Sequence, residues 1–463
     1  MIRYIAATGS LGYGFLEGTL EAAVAQHPDF IGCDAGSNDH GPNDLGAGIP
    51  HLGVATTMRD LRLLLIAARR ARIPLIIGSA GGSGADVQVQ WTLDILKRIA
   101  TDEKLSFRLA VIHAEVPKEW VHKAAKNGRI KPLDSWWPQL DSETIEQTTR
   151  VVGQMGPEAF MQALQKGADV VIAGRSTDTS IYCSYPLLKG ADPALAWHAG
   201  KIVECGAALA EHRIVPDSVM AEIGDDYFRV WSTNPDMRVT PQSVMAHTLY
   251  ENGDPFLLVE PGCILDTSKS VYTAASAGGV EVRGSQYQRQ PYTVKLEGAR
   301  KAGFRAITLA GIRDPVLLAD LNGFLESTEK RARSKIASVV GKDTAYQLKF
   351  RVYGYNGTLD DREPRRSEFS GYEVGLVIDA VAATQELANT VLSIARLTVL
   401  HNPVPRSHGF TTNVAFPFAP SDISVGQVYE WTLNHVVSLD DPLEIFPIEY
   451  HDVKTGTFGP KEH

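Results

Sequence analysis

The strongest constraint on this chain is a pattern repeated through its first half: a short apolar run, a loop rich in glycine or polar residues, then an amphipathic helix. Arg3–Ala7 leads into Thr8–Gly14 and a helical stretch over Glu17–Gln26, and Phe30–Cys33 leads into Asp34–Asp39. Arg59–Arg72 has helical periodicity, and Pro74–Ile77 is a buried strand ending in Gly78–Gly84 before a helix over Gln88–Ile99. Phe107–Ile112 meets His113 and Glu115; after a helix over Glu158–Gln165, Ala168–Ala173 meets Gly174–Asp178. Strands and helices alternating at this spacing are joined by right-handed crossovers and form a parallel sheet. Beyond about residue 225, strand-like runs such as Val271–Arg283 dominate, interrupted by helices over Pro315–Lys342 and Gln385–His401. The expected fold is therefore α/β: an N-terminal parallel-sheet (Rossmann-like) domain over residues 1–225, then an α+β domain over 226–463.

In parallel α/β folds, ligands bind beyond the carboxyl ends of the strands, where loop backbone and helix N-termini converge. Five such ends here carry glycine, carboxylate, imidazole or guanidinium, which implies one ligand crevice. Gly81, Gly82, Ser83 and Gly84 offer successive N–H groups to a phosphate or carboxylate, or else supply only a tight turn. The loop lacks the Lys-Ser/Thr ending of a P-loop and Gly9–Gly14 is not GxGxxG, so neither ATP nor NAD is expected. Arg175 can grip an anion beside Ser176, with Asp178 as an acid/base group or as the cap of the next helix. His113 and Glu115 lie two apart and face one side of a strand, as a base or metal-ligand pair, or as a satisfied polar pair.

Other residues carry less. On a helix expected over Pro193–Arg213, His198 and Cys205 share a face with Trp197 and Glu204 nearby. Two turns, about 10.5 Å, is too far for a Cys–His nucleophile pair, and Cys205 reads as a small core residue. His247 and Glu251, four apart, read as an ion pair in preference to a metal pair. The four cysteines form no CxxC pair and read as reduced thiols of a cytoplasmic protein. The N-terminus has no signal-peptide character, and no stretch approaches the ~20 apolar residues of a membrane helix. The 45 Lys+Arg against 54 Asp+Glu leave a net charge of −9, which disfavours nucleic acid and anionic membranes as partners.

Several blocks together resemble the acyclic terpene utilisation (AtuA-like) family. They are Asp34–Ser37, Gly78–Gly84, Ile112–Glu115, Ala173–Asp178, Glu204–Ala207, Pro241–Val244, Ala246–Asn252, Leu265–Ser268 and Tyr292–Gly298. The similarity runs from near the N-terminus to about residue 320, and more loosely to about 450. The resemblance implies a setting in bacterial degradation of acyclic terpenes such as citronellol and geraniol, through CoA thioesters. Relatives are widespread beyond that setting. Some carry a further C-terminal domain of roughly a hundred residues, within the usual domain range, that also occurs as a separate chain. This chain ends before it, which implies a small separately encoded partner subunit. The resemblance supplies no reaction and no cofactor.

Together these readings lead to a cytoplasmic catabolic lyase or hydro-lyase, expected as a homo-oligomer, acting on a small hydroxy- or unsaturated carboxylic acid or its CoA thioester. The Gly81–Gly84 amides, Arg175 and Ser176 would hold the anion. His113, Glu115 or Asp178 would take a proton α to the carbonyl, and Asp34 would orient water or a divalent metal. The alternatives are an amide or lactone hydrolase using Ser79, Ser83 or Cys205, and a non-catalytic acyl-binding or scaffolding subunit.

Overall fold

A computed structural model describes residues 1–213, 215–250, 252–404 and 413–462. The chain divides into two compact units, Met1–Arg300 with Trp431–His463, and Lys301–Glu430, so the second is inserted into the first. The expected boundary at 225/226 falls inside the first unit, in the turn between strands Val219–Ile223 and Phe228–Ser232. Val219–Ile223 is laddered antiparallel onto Ile2–Ala6, and Phe228–Ser232 onto Val219–Ile223, so both continue the N-terminal sheet.

The first unit is a mixed α/β structure built on five parallel strands: Ile2–Ala6, Phe30–Asp34, Leu75–Gly78, Phe107–Ile112 and Val170–Ala173. They lie in the order first, second, third, fifth, fourth. Antiparallel strands extend the sheet on both sides to eleven among the described residues, with Ile448–Lys454 beside the fourth strand. Successive strand residues point to opposite faces. Tyr4, Phe30 and Ile76 enter one core with helices Pro157–Gln165, Asp178–Leu188 and Pro193–Val203; Ile5, Ile31 and Ile77 enter another with Val54–Ala71 and Asp86–Asp102. Strands covered on both faces read as unbroken apolar runs, which is how these five were recognisable.

Three expected elements differ. The helix expected to reach Arg213 ends at Val203, and Cys205 opens a 3-10 turn over Gly206–Leu209. Gly206 has φ +55°, and a Cβ there would stand 2.9 Å from the Thr8 carbonyl carbon, so glycine lets this turn pack beneath the end of the first strand. Val271–Arg283 is a hairpin of two strands, Val271–Ala274 and Val280–Arg283. Pro315–Lys342 divides into the short helix Pro315–Leu318 and the long helix Leu321–Val340.

In the second unit, Tyr346–Tyr353 pairs antiparallel with Val374–Ala382, which pairs with residues 304–312. Helices Leu321–Val340 and Gln385–His401 place Phe324 and Val391 in one core with Leu376 and Ile378. Among the described residues no helix is long and apolar enough to cross a membrane.

Candidate functional site

The carboxyl edge of the parallel strands in the first unit holds two adjoining cavities of about 450 and 350 Å³. Ser37, Asp39 and Asp178 line both. The first is also lined by Asp34, His40, His51, Cys205 and His247; the second by Arg175, Lys201, Glu204, Glu260 and Lys295. Asp34 is the last residue of the second strand, and Arg175 follows the fifth, so neighbouring strand ends deliver both into one place. Thr177 caps helix Asp178–Leu188 by accepting from the Ser180 amide, so Asp178, in the first turn, is spared that role and faces the crevice.

Charge in this crevice is arranged around one buried ion pair. Arg175 Nε donates to Glu297 Oε2 at 2.9 Å, and Asn38 Nδ2 and Lys295 Nζ donate to the same carboxylate. Burial opposes the charge on both partners. The Glu297 carboxylate nevertheless raises the Arg175 pKa, and the Arg175 and Lys295 cations hold Glu297 well below the usual carboxylate range. Arg175 Nη1 also stands 3.9 Å from Asp178 Oδ1.

The other carboxyls go the opposite way. Burial pushes Asp34 up to about 7, against the pull of Arg175 and the Gly36 amide, which donates to its Oδ2 at 2.9 Å. Among the described residues Asp34 Oδ1 is buried with no hydrogen-bond partner. Burial and then the Asp34 and Glu204 charges push Asp178 well above the carboxylate range. Burial and Glu204 likewise raise Glu260 to about 7. Glu204 itself is bonded by Lys201 and by Thr179 Oγ1. The crevice therefore combines fixed ions with two carboxyls, Asp34 and Glu260, poised to exchange protons near neutral pH, and with Asp178 raised well above the usual carboxylate range.

Of the residues singled out in the sequence, Asp34, Arg175 and Asp178 come together here. The Gly81–Gly84 loop is packed into the neighbouring loops, and its four residues line neither cavity. The amides before them, Ser79 and Ala80, donate to Gly174 and Ala173 carbonyls. Gly84 has φ +66°, and a Cβ there would stand 2.1 Å from the Arg175 amide nitrogen, so the loop's glycines permit close approach of backbones. Ser83 and Ser176 are buried, each with a hydroxyl oxygen that has no hydrogen-bond partner among the described residues, and Ser79 Oγ accepts from Arg175 Nη1 at 3.4 Å.

His113 and Glu115 lie outside both cavities, gathered around Asp86 at the start of its helix. His113 Nδ1 meets Asp86 Oδ1 at 2.8 Å, its Nε2 stands 3.1 Å from Glu449, and Glu115 Oε2 accepts from the Asp86 amide. The hydrogen bond to Asp86 raises His113, and burial raises Glu115. His198 is buried against Ser285 and Thr248, away from Cys205. Cys205 instead neighbours His247: a ligand atom each from Glu204, Cys205 and His247 lies within 4.8 Å of the others. Glu251, expected to pair with His247, lies outside the described residues.

Sequence reasoning missed Glu260, Lys295, Glu297 and the pair His40 and His51. Lys295 and Glu297 alternate within the strand Thr293–Ile312, so they face one side; that spacing was the available signal. The family model described as "Acyclic terpene utilisation family protein AtuA" matches residues 50–214 and 230–426. No curated protein and no solved structure matches the chain significantly.

Proposed function

The chain belongs to the acyclic terpene utilisation family AtuA, and from that premise we propose that it is a lyase of the hydro-lyase type. Its substrate would be a small hydroxy- or unsaturated carboxylic acid or the corresponding CoA thioester. The observation that carries this reading is the placement of Asp34 and Asp178 on the wall of one cavity beside the fixed Arg175–Glu297 pair, with Asp34 raised to about 7 and Asp178 well above the usual carboxylate range. In its ionised form Asp34 takes the proton α to the carbonyl. The C–H electrons form the new C=C bond as the β C–O bond breaks. Protonated Asp178 gives its proton to the departing hydroxyl, which leaves as water. Protonated Glu260 and the Lys201 and Lys295 cations face the carbonyl and carboxylate oxygens from the second cavity, where negative charge develops. In the reverse direction the same groups hydrate a double bond.

The test is turnover of a panel of 3-hydroxyacyl and 2-enoyl CoA thioesters and their free acids, with incorporation of solvent deuterium at the α carbon. Asp34→Asn is expected to abolish deuterium incorporation, and Asp178→Asn to abolish dehydration. Retention of both activities in both variants would overturn the reading. We further propose a cytoplasmic setting and a small partner subunit of roughly a hundred residues, a usual domain size. Pull-down from the source cell, with activity measured with and without the captured chain, decides the latter.

A second reading has one observation in its favour. His247 Nε2 is buried with no hydrogen-bond partner among the described residues, beside Cys205 on the same cavity wall. A hydrolase would use the Cys205 thiol to attack an acyl carbonyl, with His247 receiving the thiol proton and passing it to the amine or alkoxide that leaves, before water cleaves the resulting thioester and frees the thiol. Burial and the Lys201 and Arg213 cations hold His247 down to about 4, which makes it a weak base, so the first reading leads. An acyl group found on Cys205 by mass spectrometry would reverse that order.

A further inference from the structure

The two cavities differ in what they offer a ligand. The second places Arg175, Lys201 and Lys295 among its carboxyls, whereas the first sets Asp34, Asp39, Asp178 and Asp217 against Arg213. On the wall of this acidic cavity, His40 and His51 turn toward a single carboxylate oxygen. His40 Nε2 lies 2.6 Å and His51 Nδ1 3.1 Å from Asp44 Oδ2, and one ligand atom from each of the three residues lies within 4.8 Å of the others. The imidazole rings stack with centroids 3.9 Å apart.

We propose that His40, Asp44 and His51 form a binding site for one first-row divalent transition-metal ion of the zinc class. With metal–ligand bonds of about 2.0–2.2 Å, ligand atoms around one tetrahedral ion stand about 3.4 Å apart; the 3.1 Å separation at His51 lies close to that spacing, and the 2.6 Å one at His40 would open slightly on binding. Around a metal ion each ring would coordinate through the nitrogen that already faces Asp44.

The donor set also selects the ion. Two nitrogens and a carboxylate suit zinc, manganese, iron or cobalt, and disfavour magnesium and calcium, which take oxygen ligands. Both histidines are 29% exposed while Asp44 is 10% exposed, so the anchor is buried and the remaining coordination positions open toward the cavity. Three protein ligands with open positions is the arrangement of catalytic sites, as distinct from closed structural ones. Asn43 Nδ2 and Asp44 Oδ1 lie 3.2 Å apart, so the second carboxylate oxygen is held while Oδ2 faces the imidazoles. The proposal stands whether or not the lyase reading does.

The test is titration of the EDTA-dialysed full chain with ZnCl2 by calorimetry and with CoCl2 by visible absorption, with MgCl2 as control. One equivalent of Zn2+ and of Co2+ is expected to bind, and Mg2+ to give no stoichiometric heat. His51→Ala and His40→Ala should each lose the stoichiometric site while melting like the EDTA-treated parent. His40 is on the cavity rim, so its variant remains informative if His51→Ala does not fold. Cys205→Ser should bind as the parent does. The proposal is overturned if the parent binds no stoichiometric Zn2+, or if both histidine variants bind it undiminished. It is equally overturned if the Co2+ form shows a thiolate-to-cobalt band that Cys205→Ser removes, which would place the ion on the Glu204–Cys205–His247 cluster.

Discussion

Arg175 and Glu297, 122 residues apart in sequence, meet through a 2.9 Å Nε–Oε2 hydrogen bond, each with a side chain no more than 5% exposed. The arginine that the sequence marks as a free anion grip is thus already committed. Its charge sets the potential around Asp34 and Asp178.

Breaking that pair leaves a buried carboxylate without its main partner. Arg175→Ala is expected to cost about 3 kcal/mol, the low end for a broken buried pair because Lys295 and Asn38 still donate to Glu297. The double variant Arg175→Met/Glu297→Leu should recover most of the loss, since the desolvated charge goes as well. Urea unfolding of the three proteins checks this; a double variant no better than the single one refutes it.

The raised pKa of Asp34 gives a signed dependence of stability on pH. Its folded value, about 7, lies above the unfolded 3.8, so its contribution is full below pH 3.8 and is lost as pH rises through 7. Asparagine does not titrate. Asp34→Asn should therefore gain stability relative to the parent between pH 4 and pH 8, by on the order of 4 kcal/mol at most. A difference that stays flat across that range, followed by chemical unfolding, contradicts it.

His198 titrates with the opposite consequence. Burial holds its folded value down to about 3 against 6.5, so it stays neutral, hydrogen-bonded to Ser285 Oγ at 2.7 Å. The unfolded chain takes up this proton first, so stability present above pH 6.5 is lost as pH falls toward 3. The melting temperature of His198→Gln should drop less than the parent's between pH 7 and pH 5. Equal drops in the two proteins would count against it.

Gly84→Ala is expected to unfold the loop or lower stability by several kcal/mol, because its Cβ would meet the Arg175 backbone at 2.1 Å. Gly190→Ala is the control. It too has positive φ, +80°, but nothing lies within 4 Å of the new atom, so only about 1 kcal/mol of backbone strain is expected. Similar losses in the two variants would show that packing around Gly84 is not the cause.

How much of this was legible follows from the range of the signals. The five parallel strands are local apolar runs, and the residues at their ends could be named before any geometry was known. Asp34, Arg175 and Asp178 were found that way. The order of strands, the insertion of residues 301–430 and the pairing of Arg175 with Glu297 depend on contacts between distant segments, which periodicity does not encode. His113 and Glu115 sat at a strand end as expected, but Asp86, 27 residues before His113, holds that imidazole outside the two cavities. His40 and His51 were passed over because His-x3-Asp-x6-His is no recognised ligand spacing, and only the packing of the loop around helix Asn43–Ala47 turns both rings toward Asp44.

The insertion of the second unit also orders events in time. The fourth strand of the first unit, Phe107–Ile112, has the fifth on one side and Ile448–Lys454 on the other. As the chain is synthesised, residues 301–430 emerge in full before that second neighbour exists. Throughout that interval the fourth strand presents an unpaired hydrogen-bonding edge, the kind that recruits stray strands. His113, at its end, likewise waits for Glu449. The nascent protein thus passes through a stage with one edge of its sheet open, and only the emergence of Ile448–Lys454 covers it.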